Sequence, residues 1–222
     1  MIKLNKQVAE LLGAHVGDGT LYKTKSSTVW ELRGALEEKE YYINNVCPLM
    51  NQIFNEEFIS KFRNDGCKGV WGVQTSKKVV TAFFQEFGFK PGTKTYTVAV
   101  PKYVFSSTIE VKRAFVRGLF DTDGCIRFER KNKNTLHTYP RIEFASASLT
   151  LRDTLRELLI DLGFRPFVWN DKISFRLCIA GAKPIVRWVT EIEPKNQKHL
   201  KKYLIWKEKG FYPMKSRGRI TW

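Results

Sequence analysis

Hydrophobic and polar positions along the chain fall into an order of elements that occurs twice. Residues 7–17 alternate at helical spacing, and a strand at 19–23, a polar loop and a second strand, TVWELRG, follow. A helical stretch, EKEYYINNVCPLMNQIF, leads to strand EFISKFR, a turn at Asn64-Asp65-Gly66, strand KGVWGVQTS and helix KKVVTAFFQEFG. The order α-β-β-α-β-β-α returns from about Ile109. It runs through helix VKRAFVRGLFDT, a strand from Cys125 to Arg130, a long polar loop, strand YPRIEFASAS and helix LTLRDTLRELLIDLG, and ends with strands FRPFVWN and KISFRLCIA and helix AKPIVRWVTEI. Lys90 to Thr108, with Pro91-Gly92, Lys94 and Pro101, has the composition of an extended linker. The expected organisation is an α+β protein with a first half at 1–100, a second at 101–194 and a basic extension at 195–222.

The head of each pass carries the chemistry. LLGAHVGDG at 11–19 and VRGLFDTDG at 116–124 place Asp18 and Asp123 at the same position, 105 residues apart. Gly13 and Gly118 stand at the third position, and Gly17 and Thr122 at the seventh, so these faces are small enough for two helices to meet closely. The motif helices are therefore expected to form the seam between the halves. Each aspartate is expected at a helix C-terminus, where the macrodipole disfavours a carboxylate, so stability alone would not select it twice. Gly19 and Gly124 are expected to end the helices with positive φ. Asp121 has Val16 as its counterpart and reads as structural, and His15 as a packed or hydrogen-bonded residue rather than a base.

Charge narrows the class of partner. The 222 residues hold 38 Lys+Arg against 22 Asp+Glu, a formal net charge of +16. Such a surface concentrates polyanions, which makes nucleic acid the leading partner. Residues 195–222 alone hold nine basic residues against Glu208. No run reaches the roughly 18 apolar residues of a membrane span, and the N-terminus lacks a signal-peptide pattern, so no membrane partner and an intracellular location are expected. Cys47, Cys67, Cys125 and Cys178 are far apart and read as bystander thiols rather than a zinc site.

Strand alternation selects an outward face. Trp30, Leu32, Ile142 and Phe144 read as core, leaving Glu31, Arg33, Arg141 and Glu143 outward. The same rule gives Tyr22, Arg127 and Glu129 on the first strands, Lys61, Arg63, Arg165 and Trp169 on the third, and Lys68, Gln74, Lys172 and Arg176 on the fourth. Lys23, Lys25, Arg130, Lys131 and Lys133 lie in the hairpin loops, suited to phosphate contacts. A face mixing Arg, Gln, Glu and aromatic groups suits base edges in the major groove.

Over about residues 5–195 the chain resembles the single-chain, double-motif LAGLIDADG homing endonucleases, both nonapeptides being similar to that motif. The first departs from it at His15 and Val16. The resemblance implies two pseudo-symmetric halves, each with a four-stranded antiparallel sheet, forming a DNA-binding saddle around packed motif helices. It implies that Asp18 and Asp123 bind a divalent metal with the main-chain carbonyls of Gly17 and Thr122, Mg²⁺ being the expected ion and Mn²⁺ or Ca²⁺ substituting for binding. It also implies a Lys or Gln near each scissile phosphate, for which Gln74 and Arg176 are the candidates. The expected activity is that of a monomeric, metal-dependent enzyme of intron homing, which hydrolyses one phosphodiester per strand across the minor groove of a long asymmetric double-stranded DNA target and leaves 3′ overhangs. The alternative is an intron RNA maturase or a non-cutting regulator on the same fold. A start at Met1 and the lack of a His-Asn terminus favour a free-standing enzyme over one embedded in an intein.

Overall fold

A computed structural model describes residues 2–64, 66, 69–131, 136–170 and 175–213. The first half contains α1 (Lys6–Val16), β1 (Gly19–Lys23), β2 (Thr28–Gly34), α2 (Lys39–Tyr41), α3 (Cys47–Phe54), β3 (Lys61–Arg63), β4 (Val70–Thr75) and α4 (Lys78–Glu86). After a short α5 (Lys102–Phe105) the second half contains α6 (Ile109–Asp123), β5 (Gly124–Arg130), β6 (His137–Ser146), α7 (Leu149–Asp161), β7 (Phe167–Asn170), β8 (Phe175–Ala180) and α8 (Ala182–Glu191), and α9 (Gln197–Lys209) follows. Each half holds one antiparallel four-stranded sheet, in the orders β1-β2-β4-β3 and β5-β6-β8-β7. This is the expected α+β class with repeated topology.

The seam is built by absent side chains. A Cβ on Gly13 would sit 2.0 Å from the Phe115 carbonyl oxygen, and one on Gly118 would sit 1.9 Å from that of Glu10. Each glycine thus admits the backbone of the opposite motif helix, and α1 and α6 pack as the central pair. Glu10, 5% exposed, is held there by Arg117 at 3.0 Å and Lys195 at 2.7 Å. Apolar faces of both sheets complete one continuous core: Leu21, Trp30, Leu32 and Val73 meet Phe83 and Phe84, while Ile126, Ile142, Phe144 and Leu177 meet Leu155, Leu158 and Trp188. The core assignments of Trp30, Leu32, Ile142 and Phe144 match this inward face.

Several elements differ from the sequence reading. Gly19 and Gly124 do not have positive φ; Gly124 is extended at φ −88°, and α1 closes at Gly17. Glycine is needed for space instead: a Cβ on Gly19 would lie 2.4 Å from His15 Nδ1, and one on Gly124 2.2 Å from the Phe120 ring. The stretch after β2 is a composite of a 3₁₀ turn (Leu36–Glu38), α2, a π turn (Tyr42–Val46) and α3. The third strand shortens to Lys61–Arg63, and upstream the Phe58 N–H donates to Asn51 Oδ1 at 2.8 Å.

The connecting segment is docked rather than extended. The Val100 N–H donates to Thr154 Oγ1 at 3.1 Å, and Ser148 Oγ donates to the Val98 carbonyl at 2.7 Å. Basic as it is, the described part of the C-terminal region, residues 195–213, is also integral. Asn196, His199 and Tyr203 are buried, Trp206 Nε1 donates to the Thr138 carbonyl, and Tyr212 stacks on Phe128. Among the described residues Cys47, Cys125 and Cys178 are free thiols, and no helix is long and apolar enough to cross a membrane. Cys67 lies outside the described residues.

Candidate metal and nucleic-acid site

Because α1 and α6 run side by side, the residues at their C-terminal ends converge, Asp123 as the last residue of α6 and Asp18 just past the Gly17 cap of α1. Asp18 and Asp123 line one cleft of about 330 Å³ together with Lys94. A larger cleft of about 490 Å³ lies at the opposite ends of the same helices, near Lys6, Glu10 and Arg113. Its Glu10, Arg113, Arg117 and Glu191 are already bound to one another or to their neighbours, so it is the less reactive of the two.

The two acids sit in a strained electrostatic position. Burial, then the neighbouring Asp123 and Glu38 carboxylates, push Asp18 up to about 7, against the pull of Lys198 and Lys94. Burial raises Asp123 to about 6, opposed by the same two lysines. The ammonium of Lys94 lies within hydrogen-bonding distance of the Val16 and Gly17 carbonyls, and burial lowers it to about 8 although both aspartates hold it up. Lys198 Nζ donates to Glu38 Oε1 at 2.7 Å.

Lys94 and Lys198 are the residues that sequence reasoning missed at this site. The signal was available in register: Val73 and Leu177 hold equivalent ladder positions opposite Leu32 and Phe144, and they are 104 residues apart. The same offset relates Phe84 to Trp188 and Lys94 to Lys198. Both lysines follow the last helix of their half, inside stretches read only as a linker and a tail. Glu38, 6% exposed, was missed as well; besides Lys198 it binds Asn196 Nδ2 and the Ala35 N–H.

The supporting residues are packed. Trp30 Nε1 donates to His15 Nδ1 at 3.1 Å, and burial, then Lys94, depresses His15 to about 3, so it is neutral. Asp121, fully buried, accepts the backbone N–H groups of Lys195 and Asn196 and ties α6 to the irregular segment entering α9. The Gly17 carbonyl is engaged by Lys94, and the Thr122 hydroxyl turns back onto the Gly118 and Leu119 carbonyls. Gln74 and Arg176 are not among the residues that line the aspartate cleft, although Arg176 pairs with Ala145, which does. Gln74 bonds Tyr22 and Arg63, Arg176 bonds Glu143, and both belong to the outward sheet faces.

Each of those faces is organised about one buried acid. Glu31 and Glu143 occupy equivalent positions, one residue before the partners of Gly19 and Gly124. Glu31, 9% exposed, lies 3.6 Å from Arg63 and 3.9 Å from Arg33. Glu143, 2% exposed, lies 2.5 Å from Arg176 and 3.4 Å from Arg127. Arg141, 8% exposed, is bonded to Glu129 and stacked on Phe167 and Trp169. Glu31, Arg141 and Glu143 thus point outward as expected yet are covered by longer neighbours, and they aim those neighbours instead of standing open. Arg33, Lys61, Gln74, Arg127 and Trp169 are exposed on the faces, while Lys23, Lys25, Arg130 and Lys131 rim the hairpins. Arg165 is exposed but precedes β7 rather than belonging to a strand. Lys68, Lys133 and Lys172 lie outside the described residues.

Known proteins resemble this chain in sequence or fold. Residues 110–193 match the model of the LAGLIDADG-like domain. The chain is 29% identical to an uncharacterized protein of Methanocaldococcus jannaschii over 73% of its own length and 17% of that protein. It is 28% identical to the replicative DNA helicase DnaB of Rhodothermus marinus, over 46% of this chain and 11% of the helicase. With the A subunit of the A-type ATP synthase of Pyrococcus abyssi it shares 28% identity, over 80% of this chain and 16% of that protein. The chain thus spans under a fifth of the length of these curated relatives. Among solved structures, I-DmoI in complex with DNA and Mn superposes with a TM-score of 0.58 at 18% identity, covering 86% of this chain and 97% of that one. The homing endonuclease I-WcaI bound to its DNA recognition sequence gives 0.55 at 14% identity, covering 87% and 83%. The second half is thus similar to the LAGLIDADG-like domain, and the chain as a whole shares the fold of I-DmoI and I-WcaI.

Proposed function

We propose that this chain is a site-specific, metal-dependent DNA endonuclease that hydrolyses one phosphodiester in each strand across the minor groove of a long asymmetric duplex and leaves 3′ overhangs. The observation that carries this reading is the pair Asp18 and Asp123, which converge in one cleft with their values raised to about 7 and 6 and with Lys94 and Lys198 acting on both. A protein that only bound nucleic acid would have no use for two adjacent carboxylates at so unfavourable a place.

The donor set fits a divalent cation. Among the described residues no group of three His, Cys, Asp or Glu could enclose a metal. Two carboxylates at the open end of a helix pair suit an ion such as Mg²⁺, which binds through one or two carboxylates and completes its shell with substrate phosphate oxygens and water. Asp18 and Asp123 would hold it, with Mn²⁺ or Ca²⁺ as substitutes, and it would offset phosphate charge and lower the pKa of a bound water. The Gly17 carbonyl is a weaker candidate ligand than the sequence suggested, because Lys94 already occupies it. Lys94 and Lys198, pseudo-symmetric and cationic, are placed to offset charge on a phosphate bound against the acids.

Each half, 1–100 and 101–194, would address one side of the target with its outward sheet face, and the single chain would act as a monomer. The curated relatives, which include a helicase and an ATP synthase subunit, share only a stretch of 11% and 16% of their length with this chain, which is consistent with a self-contained activity. Selection of cleaved sequences from a randomised duplex library with Mg²⁺ tests the reading. Recovery of one long asymmetric site, cut in both strands, is expected; tight salt-sensitive binding with no cut in either strand contradicts it.

A further inference from the structure

Resting on that reading, we propose that the outermost strand of the second sheet reads the methyl group of a thymine in the major groove through Trp169 and Phe167. Two residues apart on β7, they share the outward face and are 53% and 41% exposed. Arg141 stacks against both rings, 5.1 Å from the Trp169 centroid and 5.7 Å from that of Phe167. Arg141 is itself buried and bonded to Glu129, so it is committed to the protein and serves to hold the rings.

Comparison of the two sheets shows that this aromatic pair is specific to one of them. Gly72 and Arg176 occupy equivalent positions, one residue before Val73 and Leu177, and pair with Lys61 and Trp169 respectively. Where the first sheet offers a cationic ammonium suited to phosphate or guanine, the second offers an uncharged, mostly apolar indole whose large ring faces favour an apolar contact. Every base pair shows hydrogen-bonding atoms in the major groove, but its one apolar feature is the C5-methyl group of thymine. A rigid aromatic pair within a face of Arg, Glu and Lys matches that methyl, and pre-ordered rings bind it with little further loss of rotamer freedom.

The test begins with the duplex recovered by selection. Each thymine is replaced singly by deoxyuridine, which removes only the methyl, and binding is measured for the wild type, Trp169→Ala and Phe167→Ala. For the wild type we expect one thymine, in the half-site facing residues 101–194, at which deoxyuridine weakens binding about threefold to tenfold, the value of one buried methyl group. In both variants the thymine-to-deoxyuridine ratio at that position should approach one while other positions keep theirs; because this ratio is taken within one protein, partial loss of fold does not mimic it. Equal binding of thymine and deoxyuridine at every position, or a ratio unchanged in Trp169→Ala, overturns the inference and turns the ring pair toward a protein partner, even if the site is still cut. If no site is recovered at all, the nuclease reading fails and this inference falls with it.

Discussion

At the scale of single residues, the motif glycines and acids do separable jobs. Gly118 lies so close to Glu10 that even a methyl group overlaps backbone. Gly118→Ala should destabilise the fold by about 1 to 3 kcal/mol or more, the range for overpacking, read as a lower denaturation midpoint at unchanged slope; a midpoint equal to wild type would mean that the helices are not packed as described. Asp18 makes a different prediction. Its folded value of about 7 lies above the ordinary 3.8, so as pH rises from about 4 to 7 the unfolded chain loses this proton before the folded one. Stability without metal should therefore fall across that window, and Asp18→Asn should remove part of the fall. Thermal unfolding of both proteins at pH 5 and pH 8 in chelator checks this; identical pH slopes would contradict the placement of Asp18.

Elements show why some of this was legible and some was not. The motif helices, both sheets and the acid pair could be read because each is written twice in the same hydrophobic rhythm, and Trp30, Leu32, Ile142 and Phe144 then fall inward. Lys94 and Lys198 were hidden because the segments carrying them have no period of their own; only alignment of the strand registers brings them into correspondence. The close-packing role of Gly19 and Gly124 was mistaken for a need for positive φ because both uses favour glycine, and sequence does not show which neighbour lies within 3 Å; Gly124 does cap α6. Residues 195–213 were read from their charge as part of a basic extension, yet His199, Tyr203 and Trp206 recur at helical spacing and all face inward. Here the binding to Asp121 and Glu38 makes α9 part of the site's foundation. Asn196→Ala removes the α9 cap and the amide bonds to Glu38 and the Asp121 carbonyl. It should cost about 1 to 3 kcal/mol and open α9 first in hydrogen exchange; exchange in α9 at the wild-type rate would show that the helix is held by other contacts.

For the whole molecule, charge and geometry point the same way. A net charge of +16 would draw a nucleic-acid duplex toward the protein, but the outward arginines are paired with Glu31, Glu129 and Glu143, which fixes their orientation. The exposed Lys23, Lys25, Lys61 and Lys131 stand beyond these pairs and suit backbone contact. If six or more phosphates are neutralised, affinity for the selected site should fall about 10³-fold between 50 and 200 mM salt. A flat salt dependence measured by titration would contradict a phosphate-dominated interface.

The central claim is that the two acids brought together at the seam perform the cutting, and strand-resolved cleavage of the selected duplex in Mg²⁺ tests it most directly. The wild type should cut both strands. Asp18→Asn and Asp123→Asn should each lose at least one cut while still binding the duplex, and the double variant should cut neither strand. Cleavage of both strands at the wild-type rate by the double variant would place the chemistry elsewhere in the molecule.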